Sequence, residues 1–326
     1  MYSNDAIVTE MERLGFQAYG SAQSPARRLA ARILSRLGLL RNFRRSGSPL
    51  LASLMGVMEY ALFPACYWTE IVPYCYDCWP PVYEKWAQFF RRQRVRTAMF
   101  SCRQAAEEMQ RRFPSMRCGW LPEALTPADY DQGEVLASRR IDVLELGRRH
   151  EGVHEAITAH LQRTGRVHLY MRAPGEIIFP QKEDFLKAMS DSKISICFPS
   201  SMTHPEISGG METLTLRYLE SMVCRCVVVG HCPRELEELF GYNPVIESNP
   251  NRATKDIEDI LQNPEKYQPL VERNRISVLK HCTWSVRVKE LLNFLMEPRA
   301  ASPHAVNETL SDTDRLPQMG RVGDPR

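Results

Sequence analysis

At 326 residues the chain is longer than one hydrophobic core usually serves, and 44% hydrophobic with 25% charged residues excludes a mostly disordered polypeptide. A formal net charge of +3 creates no global field that demands nucleic acid as a partner. No apolar run reaches the ~18 to 20 residues of a membrane span, because Glu59, Pro64 and Glu70 interrupt the apolar region 50–72.

Residues 1–48 read as a helical extension. Asp5, Glu10 and Glu12 stand where a secretory or mitochondrial signal would be basic, so no targeting peptide is expected and the chain is assigned to the cytoplasm. Segment 26–45 forms a basic amphipathic helix with Leu29, Ile33, Leu37 and Leu40 on one side. Two roles are open to it: an ordinary surface helix on the first sheet, or a peripheral contact with the anionic inner membrane face near a lipid-linked acceptor.

From Leu50 onward short β-rich runs alternate with helical patterns, the signature of βαβ units and parallel sheets. A first unit, 49–128, carries strands at 50–54, 71–76, 95–101 and 116–121. Its helices lie at 81–93 and 103–113, the second capped by Ser101 and closed by Pro114. No convincing strand precedes Leu50, so this unit is short. Asp77 and Trp79 follow its second strand and suit a hydroxyl-bearing ring ligand, by hydrogen bonding and stacking respectively; capping the next helix is the competing role for Asp77.

After a break at 122–127 the pattern restarts in a second unit, 129–297. Strands are expected at 141–146, 167–171, 194–198, 226–229 and 244–246, with helices at 151–163, 182–191, 214–223 and 234–240 and three more within 253–296. The result is an α/β protein of two Rossmann-like, doubly wound sheets facing a cleft. Beyond Pro298 the composition turns aperiodic and rich in Ser, Pro, Asp, Gly and Arg, which predicts a disordered tail, 298–326. Among the ten cysteines, Cys75 and Cys78 form a C-x-x-C without a second pair at zinc-finger spacing. Most of the others sit in apolar runs, so reduced core cysteines are expected and no metal ligand.

The chemistry concentrates in 204–222. This stretch leaves the carboxyl end of strand 194–198, where parallel sheets open into a ligand crevice. Ser208, Gly209 and Gly210 let backbone approach a phosphate closely, and the following helix directs its free N–H groups at the same spot. Glu220 falls on the second turn of that helix, within reach of ribose hydroxyls, and Glu212 sits at its start, toward the sugar or the departing phosphate. His204 and Arg217 serve either the ligand or the loop itself.

Seven residues separate Glu212 from Glu220, as in the E-x7-E motif of retaining GT-B glycosyltransferases. Segments 215–222, 226–230, 235–241 and 267–287 resemble the C-terminal domain of group 1 glycosyltransferases, nearest the branch that includes spore-protein-like members. Residues 144–149 look like that family's first C-domain strand with its Gly-Arg loop, and 120–124 like its domain-closing segment. The resemblance covers 101–295. It implies a GT-B fold and transfer of a sugar, hexosyl in kind, from a nucleotide-sugar donor to a hydroxyl acceptor, retaining and metal-independent, with the donor as substrate and no further cofactor. It also implies that Glu220 holds the ribose, Glu212 approaches the donor sugar, Arg148 with Arg149 neutralises the diphosphate, and the amides of Thr213, Leu214 and Thr215 complete the cradle. One departure is plain: the lysine that usually follows the Gly-Arg loop has no counterpart between Arg149 and Arg163, which leaves Arg149 or Arg172 to substitute. Two other readings stay open, a non-catalytic GT-B-like module that binds nucleotide or protein, and a sugar-nucleotide epimerase on the same fold. Asp129 and Asp131 match the D-x-D of the other glycosyltransferase fold only formally, since they lie in a linker.

Overall fold

A computed structural model describes residues 3–17, 25–43, 49–173 and 176–297. The tail predicted at 298–326 and the last two residues of helix 26–45 lie outside them. Two helices come first, α1 (Ser3–Arg13) and α2 (Pro25–Arg36). The first sheet follows, built from β1 (Leu50–Met55), β2 (Ile71–Tyr76), β3 (Thr97–Phe100) and β4 (Arg117–Trp120) in that spatial order. Every neighbouring pair is parallel, with Leu50 opposite Ile71 and Thr97 opposite Arg117. Two crossover helices, α3 (Tyr83–Gln93) and α4 (Arg103–Arg112), separate β2 from β3 and β3 from β4.

Covering both faces of a parallel sheet explains why β2 is buried at all of its positions. The core against α3 is aromatic: Trp86 stacks on Phe90 at 5.7 Å between centroids and meets Phe89 edge-on at 5.8 Å. Helix α2 docks on the turn Glu59–Leu62 through buried Ala31 and partly buried Leu34. It stops at Arg36 instead of running to 45, because Gly38 takes φ +68° and turns the chain back, with the Leu39 N–H closing on the Leu34 carbonyl at 2.9 Å. Helix α4 starts after Cys102 without any side-chain cap, so the cap expected from Ser101 is replaced by a more distant acceptor. That acceptor is Glu235, whose carboxylate takes the Arg103 N–H at 2.6 Å.

The second sheet contains β5 (Ile141–Glu145), β6 (His168–Tyr170), β7 (Ser192–Cys197), β8 (Val227–Gly230) and β9 (Ile246–Glu247), all parallel, in the order β6-β5-β7-β8-β9. Its helices are α5 (Glu151–Arg163), α6 (Lys182–Ser190), α7 (Ser200–Thr203), α8 (Pro205–Ser208), α9 (Leu216–Val223), α10 (Arg234–Phe240), α11 (Ala253–Gln262) and α12 (Pro264–His281). The chain leaves β5 toward β6 on one side and returns to β7 on the other. This reversal opens a crevice at the carboxyl ends of β5 and β7, the place where doubly wound sheets bind ligands.

A last helix, α13 (Trp284–Met296), does not remain with the sheet it follows. Trp284, Val288 and Leu291 pack instead with Tyr74, Met99 and Leu121 of the first sheet, and Ile7 of α1 joins them. At the crossing the Leu125 N–H bonds the Cys282 carbonyl at 3.1 Å and the Trp284 N–H bonds the Leu125 carbonyl at 3.2 Å. Among the described residues no helix is long and apolar enough to cross a membrane.

Trp86 is fully buried, yet its indole N–H has no partner. Trp86→Ala is expected to lower unfolding free energy by about 3 to 5 kcal/mol through the cavity it leaves. Trp86→Phe removes the orphaned N–H as well as volume and should fall much nearer the parent; urea denaturation of the two variants checks both.

Candidate functional site

Between the carboxyl ends of the two sheets lies a cavity of about 560 Å³, lined from the first unit by Asp77, Trp79 and Glu123 and from the second by Arg148, Thr213, Thr215 and Glu220. Each arrives from a strand end or a helix start. Asp77 directly follows β2 with φ +50°, a left-handed conformation that aspartate tolerates better than most residues, and makes no helix cap. Arg148 follows β5 and lays its guanidinium over the Trp79 ring, 5.3 Å from the centroid, so a cation from one unit covers an aromatic from the other.

Glu220 points into the cleft from α9. Its Oε1 accepts the Tyr130 hydroxyl at 2.9 Å and its Oε2 lies 3.1 Å from Arg217, which in turn stands over the Phe185 ring at 5.0 Å. Burial and the neighbouring Glu220 both push the Tyr130 phenol up, which keeps it a donor. Glu123 has the most unusual setting. Burial, then the charges of Asp77 and Glu220, raise its pKa from 4.5 to about 8, against the opposing pull of the Leu216 N–H and Arg148. Asp77 is also raised by burial, with Arg148 working the other way. The Leu216 amide beside Glu123 is the first of α9, so a first-unit carboxyl touches the positive end of the helix that begins the second unit's binding edge.

The structure therefore brings together Asp77, Trp79, Arg148, Thr213, Thr215, Arg217 and Glu220 around one cavity. The other expected site residues are placed elsewhere. Helix α9 begins at Leu216, because Thr215 is extended, and not at Leu214, which is a core residue. Gly209 and Gly210 consequently do not open α9; they terminate α8, both at positive φ, and a side chain at Gly209 would collide with Pro80 of the first unit at 2.8 Å. Gly209 thus lets the two units touch, whereas a side chain at Gly210 would meet nothing within 4 Å. Ser208 is buried and His204 caps α8 in the chain, neither on the cavity wall. Glu212 turns away to His231 at 3.1 Å and accepts the Arg234 N–H of α10 at 2.6 Å. Arg149 is engaged behind the loop, by Glu151 at 3.1 Å, His154 at 3.3 Å and the Met171 carbonyl at 3.2 Å.

Of the cavity residues that the sequence does not single out, Tyr130 and Glu123 bear most directly on the chemistry. Tyr130 lies between the aspartates of the discounted D-x-D, and Asp129 reaches the cavity beside it, paired with Lys182 at 3.4 Å. Glu123 had been visible only as part of a domain-closing segment, and nothing local announces that its carboxyl will be enclosed by Asp77 and Glu220.

Residues 149–293 match the family described as Glycosyl transferase-like. No curated protein matches the chain in sequence. Among solved structures it is similar to HepE of Anabaena, in complex with UDP and glucose, at 11% identity and TM-score 0.53, covering 82% of this chain and 81% of that one. TarM gives 11% identity and TM-score 0.54 over 82% of this chain and 58% of its own. The UDP-forming α,α-trehalose-phosphate synthase of Burkholderia vietnamiensis gives 11% identity and TM-score 0.50 over 82% and 75%. Likeness at this identity shows the fold, two Rossmann-like units in the GT-B arrangement.

A free carboxyl ionises near 4.5 whereas folded Glu123 holds its proton to about 8. Between those values the unfolded chain binds fewer protons than the folded one, so Glu123 weakens the fold progressively from pH 4.5 to 8 and by a constant amount above. Glu123→Gln should melt with the parent near pH 4, gain on it steadily up to pH 8, and then keep a fixed advantage. A thermal melting series across that range reads this out, and a gain that is flat with pH would disprove it.

Proposed function

We propose that this protein is a glycosyltransferase that moves a sugar from a nucleotide donor, seated on the second unit, to a hydroxyl of an acceptor held by the first. The observation that carries the reading is the convergence of Glu220, Arg148 and the start of α9 on one interdomain cavity. Glu220, oriented by Tyr130 and Arg217, presents a carboxylate for ribose hydroxyls. Thr213, Thr215 and Leu216 bring the start of α9, the positive end of its dipole, to the diphosphate. Arg148 adds a full positive charge where the leaving group becomes more negative, which lowers the barrier without a divalent ion. Trp79 offers its ring to the acceptor sugar and Asp77 its carboxylate to the acceptor hydroxyl. The similarity of residues 149–293 to glycosyl transferases supports this, as do structural neighbours such as HepE, solved with UDP and glucose. A retaining outcome belongs to the same reading through the E-x7-E spacing, although Glu212 faces His231 in this conformation and reaches the donor only if the 211–215 loop turns it.

The second reading is a non-catalytic module that binds nucleotide. The orientation of Glu212 and the engagement of Arg149 behind its loop favour it.

Helix α2 supplies a location. It holds no acidic residue, carries Arg27, Arg28, Arg32 and Arg36, and exposes Leu29 at 61% and Ile33 at 49% while Ala31 anchors it. Apolar side chains and arginines on an exposed helix fit an anionic lipid surface, which would bring the cleft to a lipid-linked acceptor.

Isothermal calorimetry with UDP tests the donor site: Glu220→Ala and Arg148→Ala should each weaken binding about tenfold or more, and unchanged affinity in both would remove the proposal. Release of free sugar from a panel of sugar nucleotides by the parent separates enzyme from binding module. For α2, sedimentation should show binding to vesicles containing phosphatidylglycerol but not to phosphatidylcholine alone, lost in Leu29→Asp with Ile33→Asp; equal partition between the two vesicle types overturns that part.

A further inference from the structure

Outside the cavity wall, on the far side of the Arg148 loop, Glu145 at the end of β5, His154 on α5 and His168 on β6 bring a carboxylate and two imidazoles together. Their ligand atoms all lie within 4.8 Å of one another. The parallel register produces this. Val143 pairs with His168 and Glu145 with Tyr170, so alternate residues of neighbouring strands project to one face of the sheet, where the first turn of α5 delivers His154. His154 Nδ1 is 2.6 Å from Glu145 Oε2, and His168 Nε2 is 3.4 Å from the same oxygen without hydrogen-bond alignment.

What distinguishes this cluster from an ordinary buried network is its unfilled bonding capacity. The Glu145 and His168 side chains are each 4% exposed, yet Glu145 Oε1 and both ring nitrogens of His168 have no hydrogen-bond partner. Buried polar atoms are nearly always paired, and here three orphans share one enclosed space with a further imidazole. A single ion with vacant coordination positions would take Glu145 Oε1 and one ring nitrogen of His168 at once.

We propose that Glu145, His154 and His168 form a site for a divalent transition metal of the zinc class. Two imidazoles and a carboxylate are a donor set that zinc accepts, with a fourth position left to water or a neighbouring oxygen. Enclosure makes the ion a clamp and not a reaction centre, tying the three-residue edge strand β6 to β5 and α5. It also reaches the nucleotide loop. A guanidinium only donates, so His154 Nε2, at 3.3 Å from Arg149, accepts, and the ring's proton resides on Nδ1 toward Glu145. When metal takes Nδ1 that proton moves to Nε2, which can no longer accept from Arg149. Loading therefore removes one of the contacts that hold Arg149 behind the loop, next to Arg148 in the cleft.

The test uses the whole protein, stripped with chelator and titrated with Co²⁺ alone, then with Zn²⁺. One equivalent of Co²⁺ should bind saturably with visible ligand-field bands of a low-coordinate nitrogen and oxygen site. Zn²⁺ should displace it and raise the melting temperature, and His168→Ala and Glu145→Gln, shown folded by circular dichroism, should lose the saturable phase. Absence of saturable binding in the parent overturns the proposal whether or not the variants fold. So does an intense near-ultraviolet band of thiolate to cobalt, which would place the metal on cysteine, or binding that both variants retain.

Discussion

One buried carboxylate holds the two halves in working register. Glu235 is 5% exposed, and its two oxygens accept the Arg103 N–H of α4 at 2.6 Å and the Leu214 N–H at 3.0 Å. Burial raises its pKa, and those two N–H groups favour the charged form in return. The first unit thus finds the cap for α4 in the second unit, and the same acid fixes the 211–215 loop that leads into α9. Cys102 and Met211 close the seam beside it with sulfur atoms 3.2 Å apart. The direction of α9, and with it the aim of Glu220, follows from this joint.

Besides Asp129, which pairs with Lys182 at 3.4 Å, the cleft so formed gathers three carboxyl groups, Asp77, Glu123 and Glu220, against two guanidinium groups, Arg148 and Arg217. Three full negative charges in one cavity would repel both a diphosphate and each other. The conflict is resolved group by group: Glu220 is shared between Tyr130 and Arg217, Asp77 faces Arg148, and Glu123 keeps its proton near neutrality. A protonated Glu123 at the head of α9 takes the Leu216 N–H without placing a negative charge there to repel an anion.

How much of this was legible in the sequence depends on range. Strand positions were readable because alternation of β-rich runs with helical patterns is local, and Asp77, Arg148 and Glu220 could be placed because strand ends and helix turns define where side chains emerge. The conformation of 209–215 was not readable. It is decided by Pro80 and by Glu235, which are distant in the chain: local pattern alone puts the helix start at Leu214 and aims Glu212 at the ligand, whereas α9 begins at Leu216 and Glu212 binds His231 and α10. Periodicity also places three helices within 253–296 without saying which sheet receives the last of them. The trio Glu145, His154 and His168 has no motif spacing at all, since strand register creates it.

The chain passes between the units twice, once after β4 and once before α13, and Leu125 and Thr283 lie side by side there as a short parallel bridge. Two adjacent tethers form a pivot: they leave rotation about their common line free while resisting sliding and twisting. Any relative motion of the two units that keeps both tethers is thereby confined to rotation about one line.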